Sequence, residues 1–265
     1  MVMLIAGKKF LVTGAGNGMG REVALELLRR GASVIGVDVN EAFLKETTLL
    51  AGPKEPNLLT VKLDITDRKA AAELADKHPD LDGLVNVAGI IQPFVRVNDL
   101  DLAAADRVMN INFFGPLNLI KAFLPNLLKR PEAHILNVSS MGSYAPVPGQ
   151  TIYGASKAAL NLLTEGLRSE LSETNVKLTL VWPGAIGTNI SQNSGISIAG
   201  ADTAETSKMK VTSAVEAGRM MVDAIEHGQK RIYVGGDAKF MGRLARWSQD
   251  TAAKLIYKNL KNLLG

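Results

Sequence analysis

Short runs of apolar, often β-branched residues alternate along this chain with longer stretches whose apolar positions recur every three or four residues. The runs are Lys9–Thr13, Ser33–Asp38, Leu59–Leu63, Asp82–Val87, His134–Ser139, Val176–Trp182 and Arg231–Val234, and each reads as a strand. Helical periodicity predicts Gly18–Arg30, Glu41–Leu50, Arg68 to about Lys77, a long helical stretch between Ala103 and Lys129, Ile152–Glu173 and Val211–His227. The punctuation agrees. Gly31 follows the first helix, Gly52-Pro53 the second and His78-Pro79 the third, which Asp67 is placed to cap. Continuous apolar strands, rather than strict alternation, are the pattern of a sheet covered by helices on both faces. The reading is therefore α/β: a single-domain Rossmann-type doubly wound parallel sheet of about seven strands. Right-handed crossovers then place the functional loops outside the carboxyl ends of the strands. With no repeat or linker in the way, one domain is expected over residues 1–238 and a helical tail over residues 239–265.

Composition narrows the chemistry. The 265 residues are 46% hydrophobic and 21% charged, which suits one large buried core. The absence of cysteine excludes disulfides, thiolate catalysis and cysteine-ligated zinc or iron–sulfur sites. His78, His134 and His227 stand far apart without ligand-like spacing, so they read as loop or surface residues and no metal site is expected. The apolar opening stops at Gly7-Lys8-Lys9, too short for a signal-peptide core, and no run approaches the ~18–20 residues of a membrane span. A cytoplasmic location is expected. The net charge of +4 raises nucleic acid as a partner, but its distribution argues against that. Lys239, Arg243, Arg246, Lys254, Lys258 and Lys261 face a single acid, Asp250, in the tail, while the rest of the chain holds 24 basic and 25 acidic residues.

Immediately after the first strand stands Thr13-Gly14-Ala15-Gly16-Asn17-Gly18-Met19-Gly20. A glycine-rich strand-to-helix turn lets backbone approach a pyrophosphate, which the free N–H groups and positive end of the next helix stabilise. Its position at the start of a βαβ unit favours a nucleotide site over a plain tight turn. Asp38 ends the second strand eighteen residues after Gly20. A carboxylate there accepts hydrogen bonds from the adenosine ribose and repels a 2′-phosphate. Its alternative role is to cap the next helix, for which Asn40 is better placed. No cation stands in the glycine loop around Asn17, so NAD is expected over NADP, with only Arg21, just inside the helix, speaking for the phosphorylated cofactor.

Tyr153 and Lys157 lie four apart on one predicted helix and share a face. A tyrosine with a pKa near ~10 is a poor base at neutrality, and a neighbouring ammonium favours its phenolate. An oxidised nicotinamide ring beside it would act in the same direction. Ser140 can donate to a substrate oxygen, holding it where Tyr153 takes or gives a proton.

Taken together and in order, these motifs resemble the classical short-chain dehydrogenases/reductases from about Lys8 to Val234. Thr13 to Gly20 matches the family's TGxxxGxG turn, and Tyr153-Gly154-Ala155-Ser156-Lys157 its YxxxK. Asn86-Val87-Ala88-Gly89 matches NNAG except at the second position; the first asparagine is kept, and the turn it braces is expected to survive. Ser140 matches the catalytic serine, Asn112 within INFFG the catalytic asparagine, and Pro183-Gly184-Ala185-Ile186-Gly187-Thr188 the PGxIxT element. The resemblance implies that Asn112 anchors a water leading to Lys157, and that Lys157 also binds the nicotinamide ribose. It implies cofactor contacts from Asn86, Ala88, Gly89, Pro183, Gly184, Ile186 and Thr188. Asp64 matches the family's adenine-contacting aspartate, with Ile65 beside it in the cofactor-binding set, although Asp64 also reads as a polar residue ending a strand. The implied function is an NAD-dependent oxidoreductase acting on a secondary alcohol or ketone, as a homodimer or homotetramer. A non-catalytic NAD-binding regulator or scaffold on the same fold is the alternative. A sugar-nucleotide epimerase or dehydratase is disfavoured by the eight-residue turn and the modest length.

By the same resemblance the substrate pocket lies among Met141–Gln150, Gln92–Val95 and the segment after Thr188. Tyr144, Pro146, Val147 and Pro148 give it an apolar mouth without a cation for carboxylate or phosphate, so an apolar, lipid-like substrate is expected. Residues 189–210, with Ile196 and Ile198, read as a mobile lid. In the tail, Phe240, Leu244, Trp247, Thr251, Leu255, Ile256, Leu260 and Leu263 form an apolar stripe opposite a basic face. Three readings of it stand: packing on its own domain or a partner subunit, lying on an anionic membrane, or covering the site.

Overall fold

The central strand β1 (Lys9–Thr13) pairs in parallel with β2 (Ser33–Asp38) on one side and β4 (Gly83–Asn86) on the other. In the computed structural model, which describes residues 3–196 and 211–261, seven parallel strands follow the order β3-β2-β1-β4-β5-β6-β9. β3 is Leu58–Lys62, β5 Ala133–Val138, β6 Val176–Pro183 and β9 Arg231–Val234. The order reverses between β1 and β4, and that switch point is where an open α/β sheet leaves a crevice.

Side chains leave a strand on alternate faces, so β1 feeds two cores. Phe10 and Val12 join Leu27 and Leu28 of α1 (Gly18–Arg29) and Met221 and Ile225 of α8 (Ala214–Glu226). Leu11 joins the opposite core. There it meets Leu119 and Phe123 of α5 (Gly115–Leu127), Leu74 of α3 (Arg68–Lys77) and Leu167 of α6 (Thr151–Glu170). On the outer edge of the first layer, α2 (Glu41–Ala51) begins at Asn40, whose side chain accepts from the N–H groups of Ala42 and Phe43. The capping role therefore belongs to Asn40, and Asp38 is free of it.

Three features depart from the sequence expectations. The long helical stretch is broken: α4 (Leu102–Met109) passes through a single π-type turn, Asn110–Phe114, into α5. The helix expected from Val211 starts at Ala214, because Ser213 turns its hydroxyl onto the N–H of Glu216 and ends the short strand β8 (Thr212–Ser213), which pairs with β7 (Ile186–Gly187). His134 is neither a loop nor a surface residue. It lies in β5 at 2% exposure, its Nε2 2.8 Å from the Thr179 hydroxyl, and burial drives its pKa down to about 3.

The tail is two helices, not one. α9 (Gly236–Trp247) follows β9 directly, and Ser248 adopts an extended conformation and caps α10 (Gln249–Leu260). Leu244, Leu255, Ile256 and Leu260 turn inward, packing with Met141, Tyr144 and Val147 of the loop after β5. Phe240 and Trp247, expected in the same stripe, point outward. Leu263 lies outside the described residues. So does most of the expected lid, which starts as the one-turn helix α7 (Ile190–Asn193) and carries its Ile198 beyond the described part.

Helices α1 and α8 cross closely because Gly218 admits the backbone of Glu22, which a Cβ on Gly218 would approach to 2.9 Å. Arg30 locks the pair, reaching Glu26 on its own helix and Asp223 and Glu226 on α8 at 2.6–2.7 Å. Gly218→Val is expected to cost about 2 kcal/mol or more by overpacking this crossing, read as a lower urea midpoint with an unchanged slope.

Candidate active site

Thr13 fastens the glycine turn to the sheet: its hydroxyl accepts from the N–H of Val87 at 2.9 Å and of Ala88 at 3.0 Å. The substitution of valine for asparagine in the NNAG-like element thus leaves the turn intact, and Val87 itself packs in the first core. Gly14, at φ 67°, brings the turn so near Ala88 that a Cβ would lie 3.1 Å from the Ala88 Cα. Asn17 caps α1 through the Gly18 N–H, and Met19 leans on the first core, so these two shape the turn with their side chains. Asp38 faces the turn. Its Oδ2 accepts from the Gly16 N–H at 3.1 Å and its Oδ1 from the Asn40 N–H at 2.9 Å. Arg21 is drawn back onto α2: its guanidinium donates to the Gly16 carbonyl, to the Thr47 hydroxyl at 3.2 Å and to Glu46 at 2.8 Å.

Four of the expected residues converge at the carboxyl edge of β4 and β5. Ser140 Oγ and the Tyr153 ring meet at Gly142, where a Cβ would lie 3.5 Å from each, and Ser140 accepts from the Gly142 N–H at 3.0 Å. One helical turn further along α6, the Lys157 ammonium donates to the Val138 carbonyl at 3.0 Å, and Lys157 is 3% exposed. Gly89 lies between Lys157 and Asn112: a Cβ there would stand 3.0 Å from Lys157 Nζ and 3.1 Å from Asn112 Oδ1. Asn112 sits within the π-type turn, fully buried, with Oδ1 accepting from the Ile90 N–H and Nδ2 donating to the Ile90 carbonyl and Ser156. Asn86 Nδ2 donates to Asn137, whose amide donates in turn to Thr164, tying β4, β5 and α6 behind the site.

The remaining expected residues line the crevice on either side. Gly18 and Thr188 approach across it, a Cβ on Gly18 lying 3.4 Å from Thr188. Pro183 ends β6, Gly184 abuts Asp237 of α9, and Ile186 opens β7. Asp64 is exposed just beyond β3, where its Oδ1 accepts from the N–H and hydroxyl of Thr66. Ile65 is 6% exposed and its side chain belongs to the second core, so any cofactor contact it makes is through its main chain.

Two glutamines carry geometry that the sequence did not announce. Gln92, placed in the pocket wall by resemblance, is fully buried instead. Its Oε1 accepts from the N–H groups of Ile152 and Tyr153 at 2.8 and 2.9 Å, capping the first turn of α6, while Gln150 donates to its carbonyl at 2.6 Å. Tyr144 is also partly withdrawn from the pocket mouth. Its hydroxyl donates to the Ala238 carbonyl at 2.8 Å, and its ring meets Trp182 and Tyr233 edge-on. Asp237 on α9 accepts from the Ala185 N–H at 2.6 Å, holding the Pro183–Thr188 segment. The crevice among Lys9, Ser33, Asn57 and His78 opens at the amino ends of the strands, away from these groups.

The short chain dehydrogenase family model matches residues 8–198. Over 262 residues, 94% of each chain, the sequence is 32% identical to a Mycobacterium tuberculosis protein named as an oxidoreductase, SadH. The chain belongs to the short-chain dehydrogenase family of oxidoreductases. A short chain dehydrogenase from Burkholderia cenocepacia, solved with NADP, superposes with a TM-score of 0.81 at 28% identity, covering 96% of this chain and 99% of that one. The same fold recurs in a short chain dehydrogenase/reductase from Burkholderia phymatum, solved with NAD, with a TM-score of 0.83 at 22% identity and coverage of 95% and 97%.

In this short-chain dehydrogenase the electrostatics of the protein alone differ from the sequence expectation. Burial pushes the Tyr153 hydroxyl above its ordinary value, and the Ser140 hydrogen bond offsets this only in part. Lys157 is not among the groups that pull it down, because the ammonium is turned to Val138. Burial also pulls Lys157 from 10.5 to about 8. Below about pH 8 the folded protein holds a charged, desolvated ammonium; between there and 10.5 the unfolded chain binds the extra proton, so stability rises with pH. Lys157→Met is therefore expected to stabilise the fold at pH 7 by up to roughly 3 kcal/mol, less about 1 kcal/mol for the lost Val138 bond. Urea titrations at pH 7 and 9.5 check this, with the gap between variant and wild type closing at the higher pH.

Proposed function

We propose that this protein transfers a hydride between NAD and an apolar secondary alcohol or ketone, with Tyr153 as general acid/base. The observation that carries the reading is that Ser140 Oγ and the Tyr153 ring flank Gly142 together, a Cβ there lying 3.5 Å from each, one helical turn from a buried Lys157 at the carboxyl ends of β4 and β5. Two hydroxyls so placed can each turn a proton toward one substrate oxygen. In the reducing direction Ser140 holds the carbonyl oxygen and Tyr153, kept neutral by burial, gives up its proton to it. In the oxidising direction the phenolate takes the alcohol proton, and the ammonium of Lys157, one turn further along α6, favours that anion once it turns from the Val138 carbonyl toward it. A bound nicotinamide supplies the hydride donor or acceptor, and its oxidised form adds a positive charge that favours the phenolate.

The residues present fit a dinucleotide. Gly14, Gly16 and Gly18 leave backbone bare where a pyrophosphate approaches α1, and Gly89 leaves the space a Cβ would fill beside Lys157. Lys157, Thr188 and Ile186 would hold its nicotinamide half, and Asp38 its adenosine ribose. Preference for NAD is supported by Asp38 facing the glycine turn and by Arg21 being engaged with Gly16, Thr47 and Glu46 rather than free for a 2′-phosphate. Exposed Leu102 and Leu162, on α4 and α6, support a homo-oligomer built on those helices.

Two measurements test this. Across a panel of secondary alcohols and ketones, Tyr153→Phe is expected to lower kcat by 10²-fold or more with little change in NADH binding; equal rates in the two proteins would remove the mechanism. Asp38→Ala is expected to raise the KM for NAD about tenfold or more, the worth of one charge-assisted hydrogen bond, and to improve use of NADP. A wild type already faster with NADP contradicts the cofactor assignment.

A further inference from the structure

Each tail helix has two unlike faces. The inward one, with Met241, Leu244, Ala252 and Ile256, closes over Met141, Tyr144 and Val147 on the segment between Ser140 and Tyr153. The outward face of α9 consists of Lys239, Phe240, Arg243, Arg246 and Trp247, all exposed. At about 100° per residue these five occupy one arc of roughly 120°. Arg246, Lys239 and Arg243 run along one flank, and Trp247 and Phe240 along the other. Exposed Lys254, Tyr257 and Lys258 continue the mixture on α10. Trp247 is 85% exposed, more than any other large apolar side chain among the described residues. The carboxylates of the two helices do not neutralise this face: they are Asp237, turned in to Ala185, and Asp250.

We infer that this face docks on an anionic bilayer surface. Aromatic rings settle at the boundary between headgroups and acyl chains, and a flank of arginine and lysine beside them meets lipid phosphates. The cations have no other evident use, since the rest of the chain is close to neutral with 24 basic and 25 acidic residues outside the tail. A second copy of the chain fits less well, because an isologous contact would set the cationic flanks of two α9 helices against each other. Nucleic acid would use the cations but gives no reason for an adjacent aromatic flank held in line on a helix. The inference does not depend on the proposed reaction. If both hold, the loop carrying Ser140 and Tyr153 lies directly beneath the membrane-facing helices, and a substrate dissolved in lipid has a short path to it.

The full-length protein at physiological salt is sedimented with phosphatidylcholine vesicles, with and without phosphatidylglycerol. Binding is expected only with phosphatidylglycerol, together with a blue shift of tryptophan emission quenched by brominated lipid. Trp247 supplies that signal because Trp182 is 9% exposed and reports the interior. Arg243→Gln/Arg246→Gln is expected to lose roughly thirtyfold in partitioning, the worth of two basic side chains at an anionic surface. Phe240→Ser/Trp247→Ser is expected to lose binding while Trp247→Phe keeps it. These side chains point to solvent, so unchanged melting curves show the variants folded. Equal binding to neutral and anionic vesicles, no binding, or binding untouched by both double variants overturns the inference. So does tight binding to duplex DNA without a vesicle-induced shift, or self-association through this face that replaces vesicle binding.

Discussion

Lys157 carries its ammonium into the protein interior with a main-chain carbonyl as its companion and, among the described residues, no carboxylate to neutralise it. Much of the surrounding structure exists to tolerate that arrangement. Gly89 gives up its Cβ to make room, and Asn112 is clamped by Ile90 and Ser156 so that its amide does not drift into the space. Ser139 donates to the Lys157 carbonyl at 3.0 Å, which fixes the helix against β5. An unpaired buried cation is expensive, and no packing argument explains keeping one. The proposed reaction gives it a use, in favouring the Tyr153 phenolate once a substrate and cofactor are in place.

The polar interior behind the site follows the same economy. Asn86, Asn137 and Thr164 form a chain of hydrogen bonds across two strands and a helix, and Thr13 satisfies two N–H groups that leave β4. Main-chain and amide groups do this without adding charge. Pairs such as Arg30 with Glu26, Asp223 and Glu226 hold helices together well away from the site.

What could be read from sequence was local or ordered along the chain. All seven main strands lie within one residue of their apolar runs at each end, because continuous β-branched stretches have few other stable uses in a sheet covered on both sides. The glycine turn, Tyr153, Lys157, Ser140 and Asn112 were legible because spacing on one helix and order after successive strands survive without coordinates. What was not legible depends on distant partners. His134 can be buried within its strand because Thr179 on β6 accepts or donates at its ring. Gln92 caps a helix sixty residues away in sequence, and no local pattern marks it. The single stripe drawn through the tail breaks at Ser248, where an extended residue resets the phase for α10, and on α9 itself Met241 and Leu244 take the inward face and leave Phe240 and Trp247 outside.

The nature of the cap on α6 has an effect of its own. Helix N-termini are most often sealed by a side chain of the same segment, frequently an acid in the first turn, and that anion offsets the positive end of the helix. Here the seal is a neutral amide delivered from β4's exit loop, and the first turn of α6 contains no acid. The partial positive charge at that end is thus left standing beside Tyr153, the proposed general acid/base, whose oxygen turns negative in that reaction. A glutamate in the same place could make both bonds yet would set a full negative charge against the developing phenolate. An uncharged plug keeps the helix's own field available to the chemistry.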